Sequence, residues 1–401
     1  MNEEMTAFAG DLSGMWRLQN RPPLHHLTWD WWWWLVMLDD PDGKPSGRQL
    51  MVLWSTKDNP LVDVNGTPWT PKGRPGFDEH DGMALDGMVC AWWFDGVQMH
   101  EPVIKQICRI VALPDSHPDW PGNGGTTGQG GGAVVPLLDQ DMSMGLKSDL
   151  SEFWLNLTTD EEAQHPSVPK DMKLKLTPWN SAMSTAREAT ATYAANMGYD
   201  ILRLHGTKAS GTLDGEEVNG TAYFQKVSVQ APSVPWYWGV LHLDDGSYID
   251  WFIPHLSFTV TARDNRPWKR RDFGHLGLSQ GGLFHDGKNQ RSEKFTKVTV
   301  EKLGSTLVEG KHGHSPGAPL PQFNIKMWNG RTIIELTVQA IERAHWTFDQ
   351  PTRGGLTSHL TYNEYPLKLE RLRIIDEHGI RKETDYAWAR GNAEHSWGLL
   401  H

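Results

Sequence analysis

The sequence predicts an all-β protein, and three observations carry that reading. Short apolar or alternating runs rich in Val, Ile, Thr, Trp and Tyr recur along all 401 residues. Asp-Gly and Asn-Gly pairs, which take the positive φ of tight hairpins at little cost, separate many of them. The chain also holds 40 glycines and 25 prolines, a supply of turn formers that suits antiparallel sheet. At this length one core stops growing efficiently, so two domains are expected.

The first strand is the most unusual element. Residues 29–34 read Trp-Asp-Trp-Trp-Trp-Trp and run into Leu35-Val36-Met37-Leu38. Alternation puts Trp29, Trp31 and Trp33 on one face, and Thr28, Asp30, Trp32 and Trp34 on the other. Indole on both faces, with one carboxylate among it, suits the wall of a barrel or sandwich lined with flat rings. The 21 tryptophans return in similar settings at Trp92-Trp93, Trp236-Tyr237-Trp238 and Trp251-Phe252. Any single one reads as core filling; their clustering points to a cavity for an apolar ligand.

A turn at Asp42-Gly43 leads into a second strand over 48–54. Further turns are expected at Asp86-Gly87, Asp95-Gly96, Asp214-Gly215, Asp245-Gly246, Asp286-Gly287 and Asn329-Gly330. Three glycosylation-like triplets, at Asn65, Asn156 and Asn219, read simply as turns. Residues 121–133 are glycine-rich but lack the Gly-Lys-Ser/Thr ending of a phosphate-binding loop, so they read as a connector or lid. Residues 181–196 suggest a helical start capped by Asn180 or Ser181, followed by a strand over 189–193. A first domain is expected over 1–230 and a second over 231–401.

Composition narrows the function. A net charge of −11 disfavours a nucleic-acid face, and Lys269-Arg270-Arg271, followed by Asp272, reads as a solvated turn. The acidic start Met1-Asn2-Glu3-Glu4 lacks the pattern of a signal peptide, and no run approaches a membrane-spanning length. A soluble, cytoplasmic protein is expected, at most in transient contact with a membrane. Cys90 and Cys108 are too few for a disulfide scaffold and read as reduced. The 18 histidines include His25-His26 and His312-Gly313-His314, but no further ligand falls at metal spacing. No metal and no cofactor are expected. Gly277-Leu278-Ser279-Gln280-Gly281 has the letters of a nucleophile elbow without the helix that motif requires.

Three segments together resemble one family. The run from His25 through Trp34 with the strand over 48–54, the segment Val218-Asn219-Gly220-Thr221-Ala222-Tyr223-Phe224-Gln225, and Pro235-Trp236-Tyr237-Trp238-Gly239 through the Leu243-Asp244-Asp245-Gly246 turn are similar to the AttH and carotenoid 1,2-hydratase (hydroxyneurosporene synthase) family. The closing stretch Glu394-His395-Ser396-Trp397-Gly398 resembles that family's last strand more loosely. The resemblance implies two tandem lipocalin-like β-barrel domains that handle hydrophobic molecules, including hydration of a terminal isoprenoid double bond. Related fungal proteins guide cyclisations such as Diels–Alder reactions. The chain departs from the family pattern at Gln225-Lys226-Val227-Ser228, where an acidic cluster is missing. Any chemistry therefore draws its proton from elsewhere or differs from the family's.

Hydrating an unactivated alkene needs a strong enough proton donor, stabilisation of a tertiary cation, and a positioned water. A carboxylic acid kept neutral by apolar surroundings can donate, and indole faces attract the cation. Asp30, sharing a strand face with Trp32 and Trp34, is the first candidate acid. Asp250 beside Trp251, Glu394 beside His395 and Trp397, and Asp200 after Tyr199 follow it. Ligand contacts are expected from Trp32, Trp34 and Trp54 near the start and from Tyr223 and Gln225 in the middle. Trp236, Trp238, Trp251, His395 and Trp397 complete that set. Three functions compete: a hydratase or lyase acting on an isoprenoid, a cyclase that works by cavity shape, and a non-enzymatic carrier of lipid or pigment.

Overall fold

The computed structural model describes residues 5–16, 27–57, 61–71, 76–120, 133–136, 142–161, 165–255, 281–303, 320–351 and 355–399. His25-His26, Lys269-Arg270-Arg271, Ser279, His312-Gly313-His314 and all but the end of the glycine-rich stretch lie outside them. The strands in chain order are β1 (Thr28–Asp39), β2 (Pro45–Lys57), β3 (Val62–Val64), β4 (Thr67–Trp69), β5 (Gly76–Phe77), β6 (Met83–Phe94), β7 (Met99–Pro114), β8 (Ala133–Pro136), β9 (Ser143–Leu146), β10 (Phe153–Thr158), β11 (Asp171–Pro178), β12 (Arg187–Thr192) and β13 (Gly198–Leu213). They continue with β14 (Glu216–Gln230), β15 (Trp236–Leu243), β16 (Tyr248–Pro254), β17 (Gly281–Asp286), β18 (Arg291–Phe295), β19 (Lys297–Leu303), β20 (Gln322–Trp328), β21 (Ile333–Ala340), β22 (Ala344–Pro351), β23 (Thr357–Asp376), β24 (Gly379–Lys382) and β25 (Ala389–Leu399). The fold is all-β in two units, each built on one large curled antiparallel sheet.

The first unit comprises Met1–Pro60 and Thr70–Ala231. Its strands pair mostly with their neighbours in sequence, and β14 returns to pair with β1. The second half of β13 also pairs with β11, while its first half pairs with β12. The strands β1, β2, β6 to β11, β13 and β14 therefore close into a hydrogen-bonded ring, which removes exposed edges. The even-numbered residues of β1, including Trp32, Trp34, Val36 and Leu38, join Val52, Trp54, Leu174 and Phe224 in one apolar cluster. On the opposite face Trp33, Leu35 and Met37 are buried too. Burial on both faces is why this strand reads as an unbroken apolar run. Phe8, Leu12 and Met15 from the amino-terminal segment enter the same cluster.

The second unit comprises Leu61–Trp69 and Pro232–His401. Its sheet runs β18-β17-β16-β15-β25-β23-β21-β20-β19, with β22 and β24 also on β23. The chain leaves the first unit at Pro60 and lends the small hairpin β3–β4 to the second, where β3 pairs with β22. Asn65 and Gly66 turn this hairpin with φ of 48° and 75°. Asn65 Oδ1 also accepts the Thr347 N–H at 2.7 Å.

Most expected turns form, among them those at Gly43, Gly96, Gly215, Gly246 and Gly330, all with positive φ. Asp86-Gly87 instead lies inside β6. Asp86 there meets Arg109 across the strand pair at 2.9 Å, and Gly87 lets Ile110 and the Ser55 carbonyl approach where a Cβ would stand. Asn156 and Asn219 likewise sit within strands. The expected helical start near 181 is a turn, in which Asn180 Oδ1 accepts the N–H groups of Ala182 and Met183, and β12 follows.

Candidate active site

Asp30 is buried at the end of β1, but it does not stand alone among indoles. Lys226 Nζ donates to Asp30 Oδ1 at 2.8 Å and to Ser228 Oγ at 2.9 Å, and Ser228 Oγ donates to Asp30. Register explains the meeting: Asp30 pairs with Ser228 and Trp32 with Lys226 across β1 and β14. The ammonium lies 4.6 Å from the Trp32 ring centroid. Burial pushes the Lys226 ammonium down from its ordinary value, and Asp30 opposes that fall. Asp200 pairs in register with Ser228 from β13 and also acts on Lys226. These groups form an ion-paired network, which holds Asp30 as an acceptor. The segment Gln225-Lys226-Val227-Ser228 thus supplies the cation that engages Asp30.

The indoles expected to line a cavity pack against other core side chains. Trp32 Nε1 donates to the Met15 carbonyl at 2.7 Å. The Trp34 ring lies 4.6 Å from Phe224 and 5.3 Å from Phe153. Tyr223 and Gln225 face the other way, with Tyr223 5.8 Å from Trp33 and its hydroxyl donating to Gln225 Oε1 at 3.2 Å.

The second unit holds a different acid arrangement. Glu364 on β23 stands directly opposite Glu394 on β25, and Glu394 stands opposite Trp238 on β15. One row across the sheet thus carries Trp238, Glu394 and Glu364. Both carboxyl groups are buried. Tyr362 Oη donates to Glu364 Oε1, and Trp236 Nε1 donates to Glu394 Oε2 at 2.6 Å. Two residues apart on their strands, Trp236 and Trp238 share this face, as do Tyr362 and Glu364. Their rings approach, Trp236 to Tyr362, at 6.2 Å.

Two carboxyl groups in one dry site cannot both ionise. Burial holds the Glu364 carboxyl well above the ordinary carboxylate range, and the facing Glu394, which shares a hydrogen bond with it, raises it further. Tyr362 works in the opposite direction by bonding to the charged form. The result is a carboxyl held towards its neutral form beside a second buried acid, with aromatic rings alongside.

The remaining expected residues distribute around this sheet. Trp238 Nε1, rather than Trp251, is the indole bonded to Asp250, at 3.3 Å to Oδ2. Trp251 points to the other face and into the apolar cluster, where it lies over Gly239. His395, also on that face, stacks on Tyr237 at 4.4 Å. The backbone of Trp397 pairs with Thr361, and its side chain lies outside the description. Glu364 and Tyr362 carry no motif and are visible only as same-face neighbours in Tyr362-Asn363-Glu364-Tyr365. Among the described residues, no group of three or more His, Cys, Asp or Glu is placed to hold a metal ion.

No family model matches the chain. No curated protein matches it in sequence. Solved structures similar to it include a protein from Nitrosomonas europaea provisionally assigned as AttH, with a TM-score of 0.46 and 13% identity over 95% of this chain and 97% of that one. They also include CghA with Sch210972, and a second CghA structure, each with a TM-score of 0.45 and 9% identity over 98% of both chains.

Proposed function

We propose that this protein protonates an alkene of a hydrophobic isoprenoid and directs water to the cation, acting as a hydratase. The observation that carries the reading is the pairing of buried Glu364 with buried Glu394 on a face lined by Trp236, Trp238 and Tyr362, where burial favours the neutral form of Glu364. The sequence resemblance to carotenoid 1,2-hydratases supplies the substrate class. Asp30 fits the donor role less well, because its carboxylate is engaged by Lys226.

In the proposed step the alkene π pair takes the Glu364 proton to form a C–H bond, leaving a tertiary carbocation. The electron pair of the broken O–H bond stays on Glu364. Tyr362 Oη, already bonded to that carboxyl, stabilises the new carboxylate, as charge-assisted bonds are roughly twice as strong as neutral ones. Each indole face within reach contributes about 0.5–2 kcal/mol to the cation. Water then adds to the cation, and the oxonium returns a proton to the carboxylate pair. The sum is addition of one water.

The test is incubation with lycopene, or a shorter acyclic terpenoid alkene, in oxygen-18 water, followed by mass spectrometry. A tertiary alcohol carrying the heavy oxygen is expected from the wild type, and a loss of about 100-fold or more from Glu364→Gln, the scale of a removed general acid. Ring-closed product that survives Glu364→Gln would point to a cyclase acting by shape. Binding without turnover would point to a carrier. Either outcome overturns the hydratase reading.

A further inference from the structure

Arg343 stands just before β22 and is 1% exposed. Among the described residues no carboxylate pairs with its guanidinium, which faces the Tyr365 hydroxyl. The guanidinium carbon lies 5.5 Å from the centroid of the Tyr365 ring, a contact that offsets only part of the loss of water. A buried lysine can escape such a position by releasing its proton. Arginine has no such escape, since a guanidinium keeps its proton in proteins. Burying one charge without a counter-ion costs several kcal/mol even after relaxation, and a phenol hydroxyl supplies none.

Its surroundings say what would complete it. Because Ala344 pairs with Glu364, Arg343 falls beside Tyr365, on the face opposite the paired glutamates. That face carries the apolar cluster of the unit, including Tyr365, Phe323, Tyr237 and Leu336. It also carries polar groups: His345 Nδ1 meets Asn363 Oδ1 at 3.1 Å, and His395 stacks on Tyr237. The site therefore combines one fixed positive charge, a planar donor fork and an apolar flank.

We propose that this face binds an amphipathic carboxylate, whose head group pairs with Arg343 and whose hydrocarbon part lies against Tyr365 and Phe323. A single guanidinium matches a single planar carboxylate in the two-pronged geometry that arginine favours. A diphosphate would bring more negative charge than Arg343 balances, and Asn363, Tyr365 and Tyr237 add none. The proposal does not depend on the hydratase reading, since it uses the other side of the sheet.

The test compares dodecanoate with 1-dodecanol at pH 7 on the full chain, followed by tryptophan fluorescence and thermal shift. The wild type is expected to bind one equivalent of dodecanoate at least tenfold more tightly than the alcohol. Arg343→Met is expected to bind both alike and, without ligand, to melt at or above the wild-type temperature. Equal binding of acid and alcohol by the wild type overturns the proposal, and that comparison needs no variant to fold. A marked fall in melting temperature for Arg343→Met also overturns it, because the guanidinium would then be satisfied inside the fold.

Discussion

Glu364 illustrates how one side chain couples chemistry to stability. Its folded pKa is raised above the ordinary 4.5 by burial and by Glu394. Below the ordinary value both the folded and unfolded chains hold the proton, so its contribution to stability is complete there. As pH rises from that value towards the folded one, the unfolded chain releases the proton first, and stability falls through that window. Glu364→Gln keeps the shape and removes the titration. Denaturant melts from pH 4 to 8 should show a flatter profile for the variant, with a gain over wild type at the alkaline end. An unchanged slope would mean that Glu364 ionises normally. Asp30 makes the opposite case. Removing its charge leaves Lys226 buried with its counter-ion gone, and breaking such a pair costs about 3–5 kcal/mol. Asp30→Asn should lose stability on that scale, while Asp30→Leu combined with Lys226→Met should recover most of it. At a temperature where Asp30→Asn stays folded, its turnover should match wild type if Asp30 is structural.

At the scale of the element, glycine shows what was legible and what was not. Gly239 faces Trp251 across β15 and β16, and a Cβ there would overlap the indole ring. Gly239→Val should therefore cost about 1–3 kcal/mol, the usual cost of overpacking, read as a lower denaturation midpoint. The sequence shows a glycine after Trp236-Tyr237-Trp238 but not the ring it accommodates. For the same reason Asp86-Gly87 reads as a turn and is instead a place of close approach between strands, since the missing Cβ serves both purposes. Strand identity and most hairpins were readable, because alternation and turn chemistry are local. Pairing across distant strands was not. Glu394 stood out by its aromatic neighbours, whereas Glu364 lies 30 positions earlier and meets it only through the register of β23 and β25. Lys226 was legible as a departure from a family pattern, but not as the partner of a carboxylate 196 residues away.

At the scale of the whole molecule, the ring of the first unit has no open edge, whereas β22 of the second relies on a loan. Its outer edge is covered by β3, with Phe348 opposite Val64 and Asp349 opposite Asp63. Asn65 anchors the same hairpin by accepting the Thr347 N–H and hydroxyl. An uncovered strand edge presents unpaired N–H and C=O groups that template aggregation. Replacing residues 61–69 with a Gly-Ser linker of equal length should therefore leave the strands of the first unit protected in hydrogen exchange. The amides of β22 that face β3 should exchange at least tenfold faster, and the protein should aggregate on mild heating. Asn65→Ala should do the same more weakly, by about 1 kcal/mol for the lost side-chain bonds. The two units then differ in a checkable way: the first closes on its own strands, and the second is complete only with a hairpin encoded some 170 residues before the rest of it. Unchanged protection at Thr347 and Asp349, whose amides lie on the hairpin side, would show that β22 holds its place in the linker variant without that hairpin.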